Sequence, residues 1–220
     1  MIDVKKLYDT RFTTFERIRK VALWRILCRD FLQGYISKDD TVVDVGAGNC
    51  EFINNIRASR KFAVDINKDV KKKANSDVKV KIATVKYIGN IFPRNSIDVI
   101  FLSNLLEHLD SKEDVFRLLN ESYSVLKKGG RLLVMQPDIN LVGGSYWDFF
   151  DHKVAMTYAS LVEVLLSIGF SITDHRYPFL PYSTKVKYLP LNPWLFKLYL
   201  KIRPLHYFFG KQFFICAGKK

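Results

Sequence analysis

An α/β fold built on a mostly parallel sheet is predicted by three observations. Short β-rich runs alternate with longer helical ones along the 220 residues. Most of the short runs are almost continuously apolar, as strands covered on both faces are. The first of them ends in a glycine-rich turn, in the decapeptide TVVDVGAGNC at 41–50. At this length one core is the simplest organisation, and no internal repeat or low-complexity linker divides the chain.

Taken in order, residues 1–36 are expected to form an N-terminal helical cap. Within it, 13–35 read as a basic amphipathic helix whose Phe15, Ile18, Ala22 and Ile26 cover the sheet. The core, 37–177, contains strands at 41–45, 61–65, 78–83, 97–103, 131–137 and 170–177. A helix is predicted over 111–128, because Val115, Leu118, Leu119, Ser122 and Leu126 follow helical spacing. Glu113 and Asp114 suit its first turn, and Gly129-Gly130 follow its end. A second helix, 157–168, stops at Gly169. Residues 178–210 form a basic aromatic insertion, and 211–220 carry the last strand, KQFFICAGK.

Composition narrows the function classes. No apolar run is long enough to cross a bilayer, and MIDVKKLYDTRF is not a secretory signal, so a cytoplasmic protein is expected. Cys28, Cys50 and Cys216 lack the spacing of a disulfide framework or a zinc site. The net charge of +13 is concentrated near the end: beyond Asp174 there is no acid, while nine Lys and Arg stand among twelve aromatics. Such a field attracts anionic partners, whether nucleic acid, lipid or a phosphorylated substrate.

The glycine turn is the first candidate site. In a parallel sheet ligands bind at the carboxyl ends of strands, near the point where strand order reverses. Gly46 and Gly48, flanking Ala47, let main-chain N–H groups approach a ligand where a Cβ would intrude. The run GAGNCEF lacks the third glycine of a dinucleotide fingerprint, so a smaller ligand group than a pyrophosphate is expected. Nineteen residues past Gly46, Asp65 closes a strand, where a carboxylate can accept hydrogen bonds from both hydroxyls of a ribose.

These segments, with IDVIFLSNLLEHL and VLKKGGRLLVMQPD, resemble the class I S-adenosylmethionine-dependent methyltransferases of the type 11-like group. The resemblance spans about 41–177 plus the last strand. It implies a single methyltransferase domain: a Rossmann-like seven-stranded sheet with an antiparallel last strand and helices on both faces. It also implies S-adenosylmethionine as cofactor and S-adenosylhomocysteine as product. By position, Asp44 would orient the methionine ammonium, Gly46, Ala47 and Gly48 would pass under the carboxylate end, and Asp65 would hold the ribose. Ser103, Asn104 and Leu105 would line the methionine arm. No acid lies between Asp77 and Asp98, where many members bind the adenine amino group. Adenine is therefore assigned to backbone groups near Thr84 and Val85, with Ile66 against the ring.

Because the cofactor brings a reactive methyl, the chain has only to align the acceptor and remove a proton. His108 and His152, in the loops after the fourth and fifth strands, should open on one face and are candidate proton acceptors, with Asp151 as a third catalytic candidate and Glu107 beside them. Each histidine could equally be a structural residue satisfied by its neighbours. Tyr146, Trp147 and Phe150 in GGSYWDFFDH read as acceptor-gripping aromatics, although packing would also account for them. No metal is expected: some quinone-precursor O-methyltransferases resemble this loop with an additional acid, and here Asn104 stands in its place.

The loop SNLLEH lacks the prolines of base-amino methyltransferases, and no Cys follows a Pro as cytosine C5 chemistry requires. An oxygen acceptor follows. In the insertion, 193–209 is expected to lie at a membrane surface, with Trp194, Leu195, Leu198 and Ile202 toward lipid and Lys197 and Lys201 toward headgroups. Packing on the sheet or against a twin chain is the alternative. GGSYWDFFDH, SLVEVLLSIGF, FLPYSTK and GKQFF resemble a methyltransferase group associated with surface-polysaccharide and glycolipid biosynthesis, which implies a glycan, lipid-linked or other small-molecule hydroxyl acceptor at the inner membrane face. The competing readings are an RNA methyltransferase, which has the charge but no recognisable RNA module, and a non-catalytic cofactor-binding partner subunit.

Overall fold

The computed structural model describes residues 14–182 and 193–220. Its strands are β1 (Thr41–Val45), β2 (Arg60–Asp65), β3 (Val78–Ile82), β4 (Ile97–Ser103), β5 (Leu126–Pro137), β6 (Phe170–Arg176) and β7 (Gln212–Lys219). They join in the order β3-β2-β1-β4-β5-β7-β6. β1 to β5 pair in parallel, and β7 runs antiparallel beside β5, as the resemblance implies, with β6 on its other side. Strand order reverses at β1, whose neighbours are β2 and β4. The carboxyl ends of β1, β2 and β4 therefore frame the crevice in which such sheets bind ligands.

Period-two alternation sends Val43 and Val45 to one face and Val42 to the other. The first face buries Ile100, Leu102, Leu132 and Val134 against helices Lys112–Val125 and Tyr158–Ile168, through Leu118, Leu119, Leu161 and Leu165. The second buries Phe101, Leu133, Met135 and Phe214 against the helix Thr14–Asp30, termed α1, and the helix Pro193–Lys201 of the insertion. Phe101 stacks on Phe52 at 3.9 Å and meets Trp24 edge-on.

Three expectations change. The predicted face of α1 holds at Ile26, which is buried together with Leu27 and Cys28, but not at Ile18, which is 67 % exposed. The helix predicted to reach 128 ends at Val125, with Ser111 capping its start by accepting from the Asp114 N–H. Leu126 already pairs in β5, and the glycines make a kink within extended chain rather than a helix stop: Gly129 has φ +77° and the register shifts beside it. In the insertion, the helix Pro193–Lys201 buries Phe196 and Tyr199, whereas Trp194, Leu195 and Leu198 are exposed together with Lys197 and Lys201. A second short helix, Arg203–Phe209, leads into β7. Residues 1–13 of the cap and 183–192 of the insertion lie outside the described residues. No described helix is long and apolar enough to cross a membrane.

Candidate functional site

The glycine turn is tied to the end of β2 by its own backbone. The Gly46 and Ala47 N–H groups donate to the Val64 carbonyl at 2.8 and 3.2 Å, and the Gly48 N–H donates to Asp65 Oδ2 at 2.8 Å. The Asn67 N–H takes Asp65 Oδ1 at 2.7 Å. Each carboxylate oxygen accepts two hydrogen bonds readily, so Asp65 keeps acceptor capacity for a diol while being fixed in place. Gly46 (φ +73°) and Gly48 (φ +53°) both need the left-handed region. At Gly46 a Cβ would come within 2.7 Å of Leu105 Cδ1, so the glycine also admits the residue from the β4 loop that roofs the turn. Residues 49–56 wind as turns, with no α-helix to aim a dipole at a pyrophosphate, in keeping with the absent third glycine.

The other predicted cofactor residues lie at or just beyond the carboxyl ends of β1 to β4. Asp44 is buried, and desolvation, followed by repulsion from the Glu51 carboxylate, holds its carboxyl well above the ordinary range. Ser103 ends β4, and its buried Oγ has no hydrogen-bond partner among the described residues. An orphaned hydroxyl of this kind is uncommon in a native interior and marks a place where a ligand group would be received. Asn104 follows in the left-handed region at φ +47°, the kind of strained backbone that clusters at ligand sites. Ile66, next to Asp65, is 73 % exposed. Thr84 is exposed, but the Val85 side chain packs into the core, which leaves only its backbone available to a ligand. Cys50, beside the turn, is buried with its thiol pushed up to about 12, and so is not a nucleophile.

A second group adjoins the first through Leu105, whose carbonyl accepts the His108 N–H. His108 and His152 meet edge-to-face with centroids 4.9 Å apart, as expected from two loops on one face. His108 Nδ1 lies 3.2 Å from the Asp151 carbonyl and 3.3 Å from its carboxylate. Both are acceptors, so Nδ1 carries the proton. Glu107 is 1 % exposed, and its carboxylate accepts from Gln136 Nε2; burial pushes its carboxyl above the usual range. The two loops are fastened together: the Lys153 and Val154 N–H groups donate to the Glu107 carbonyl, and the Lys153 ammonium contacts Asp110 at 2.6 Å. Neither Gln136 nor the Asp110–Lys153 pair carries a sequence signal, because each acts only through a residue some 30 to 40 positions away.

The aromatic loop divides. Tyr146 is fully buried, its hydroxyl donating to the Val154 carbonyl at 2.7 Å and its ring against His152, so it props the loop and does not face an acceptor. Phe149 stacks on His152 with centroids 5.2 Å apart. Trp147 is exposed, and Phe150 is 76 % exposed.

No curated protein matches the chain. Residues 43–134 match the family described as "Methyltransferase domain". Over that span, which is less than half of the chain, the sequence is similar to a methyltransferase domain. The matched span runs from β1 almost through β5 and includes the glycine turn, Asp65, Ser103 to Leu105, Glu107 and His108, but stops before the loop of His152. Among solved structures, the chain is similar to a SAM-dependent methyltransferase from Archaeoglobus fulgidus (TM-score 0.63, 20 % identity, 91 % of this chain and 94 % of that one). It is similar to another from Mesorhizobium loti (TM-score 0.63, 16 % identity, 86 % and 95 %). A chain of the Haloferax volcanii complex between the Trm112 methyltransferase activator and a methyltransferase also aligns (TM-score 0.64, 16 % identity, 97 % and 95 %). At these identities the likeness is one of fold.

Asp44 supplies a test of the site. Its carboxyl is raised in the folded state, so the native protein binds the extra proton, and stability is lost as pH rises from the unfolded value of about 4 through the folded one. Asp44→Asn is expected to raise the melting temperature at pH 7 by more than about 2 °C, a gain that shrinks toward pH 4, as read by thermal unfolding across pH. An unchanged or lowered melting temperature at pH 7 would show that the buried carboxylate is not strained.

Proposed function

We propose that the domain transfers the methyl group of S-adenosylmethionine to an oxygen of a sugar or other small hydroxyl compound, releasing S-adenosylhomocysteine. The observation that carries the cofactor is the pairing of Gly48 N–H with Asp65 at the switch of strand order. It holds a ribose-binding carboxylate against bare main chain, with the orphaned Ser103 hydroxyl and exposed Ile66 nearby. Bound there, the cofactor supplies an electrophilic methyl on a sulfonium, and its sulfur leaves with the bonding electrons. The chain aligns the acceptor and deals with its proton. His152, His108 and Asp151 are proposed for the proton, and Trp147 and Phe150 for the body of the acceptor. An oxygen acceptor is favoured because the loop after β4 presents imidazole and carboxylate, with no nucleophilic thiol beside it.

A glycan or lipid-linked acceptor rests on the insertion. Trp194, Leu195, Leu198, Ile202, Tyr207, Phe208 and Phe209 are each exposed, in a segment that carries Lys197, Lys201 and Arg203 and no acid of its own, with Asp30 of α1 near Lys197 and Lys201. This helix pair joins β7 where the Lys211 carbonyl accepts the Asp138 N–H, at the carboxyl end of β5 and hence at the rim of the site. Aromatic and basic side chains in this combination suit an anionic bilayer, which would bring the site to a lipid-linked substrate. Vesicle sedimentation is expected to show binding to phosphatidylglycerol but not phosphatidylcholine, and Phe208→Glu to weaken it. Equal recovery with both lipids, or a dimer that dissociates in Phe208→Glu, would remove the membrane reading.

For the cofactor, calorimetry is expected to show one molecule of S-adenosylmethionine bound per chain. Asp65→Ala should weaken it at least about 30-fold, by the roughly 2 kcal/mol or more that a lost charge-assisted hydrogen-bonding group costs. His152→Ala should bind normally and turn over slowly. An Asp65→Ala variant that binds like the wild type would refute the placement.

A further inference from the structure

One donor atom from each of Glu107, His108 and His152 lies within 4.8 Å of the other two, and this is the group among the described residues whose chemistry suits a metal ion. Two donors on opposite sides of one ion stand about 4.2 Å apart, twice the metal–nitrogen distance of about 2.1 Å, so small side-chain rotations bring all three into range. We propose that Glu107, His108 and His152 form a divalent transition-metal site, and that its open positions take the oxygen of the methyl acceptor.

The surroundings support ligation. A metal-bound histidine donates its other ring N–H to a carboxylate or carbonyl, which fixes the tautomer and aims the free nitrogen. Asp151 offers both acceptors to His108 Nδ1, at 3.2 and 3.3 Å, leaving Nε2 with the lone pair. Gln136 does the same for the carboxylate by holding Glu107 Oε2, which leaves Oε1 for an ion. Phe149 and Tyr146 pack on the His152 ring and restrict its orientation. The backbone clamp from Lys153 and Val154 onto Glu107 keeps the loops, 44 positions apart at their histidines, in register. An imidazole pair with one carboxylate suits first-row transition ions, whereas Mg²⁺ and Ca²⁺ favour oxygen ligands throughout.

The expectation of no metal rested on Asn104 standing where a further acid would help. Asn104 is exposed in the left-handed region, and the third ligand comes from His152, which no local motif reveals. The inference rests on the methyltransferase reading only for its purpose: an ion here would orient an acceptor hydroxyl beside the methyl and acidify it, making the two imidazoles ligands rather than bases.

Metal binding is measured on the metal-free full chain with Zn²⁺ by calorimetry and with Mn²⁺ by electron paramagnetic resonance, both without cofactor. One ion per chain is expected, with affinity falling at least about tenfold in His152→Ala and in Glu107→Gln. S-adenosylhomocysteine calorimetry on the same samples reports folding independently, and either variant alone suffices if the other fails to fold. Wild-type protein that binds no ion stoichiometrically, or folded variants that bind as well as wild type, would overturn the site. Ion binding without S-adenosylhomocysteine binding would leave the metal site standing and remove the cofactor reading; the converse would remove only the metal.

Discussion

The site depends on a knot of backbone hydrogen bonds at the carboxyl ends of β1 and β2. Three consecutive N–H groups, from Gly46, Ala47 and Gly48, reach the Val64 carbonyl and the Asp65 carboxylate, while the Ala83 N–H closes the Asp65 carbonyl from the β3 side. These four main-chain donors are answered, and the one that meets a carboxylate makes the charge-assisted kind of bond, roughly twice as strong as a neutral one. The geometry requires positive φ at both glycines and no Cβ at Gly46, because Leu105 occupies that space. The glycine turn, β4 loop and histidine pair are thus linked through one side-chain contact and the His108–Leu105 bond.

Around this knot the molecule carries groups that do not favour folding. Asp44 and Glu107 are buried carboxyls, Ser103 has an orphaned hydroxyl, and Asn104 is held in a sparsely populated conformation. Burying a polar group without full compensation costs about 1–3 kcal/mol. Two apolar layers, one on each face of the sheet, offset that cost, and the unfavourable groups gather where a ligand would satisfy them. Their concentration at the carboxyl ends of β1, β4 and β5 is what marks this end of the sheet as the candidate site.

Much of the fold was legible because buried parallel strands are written as apolar runs; TVVDV, IDVIFLS and KQFFICAGK name β1, β4 and β7 nearly to the residue. The convergence of His108 and His152 was legible too, since loops after parallel strands open on one edge. Faces of helices were harder. On α1 the apolar residues surround the helix, and only contact with Phe101 and its neighbours decides that Ile26 is buried and Ile18 is not. In GGSYWDFFDH four aromatics look alike, and the Tyr146 bond to Val154, formed eight residues on, decides which of them becomes core. Glu107 was visible as a residue, but not as a carboxylate held by Gln136 and facing His152, because that pairing exists only after β4 and β5 align.

The glycine turn and Asp65 are proposed to form one adenosyl-binding unit. Backbone amide NMR during titration with S-adenosylhomocysteine reads it directly. The Gly46, Gly48 and Ile66 amides are predicted to shift together with a single saturating affinity, and the Gly48 N–H to stay slow to exchange. Saturable binding that leaves those three amides unmoved, or no binding at all, would contradict it.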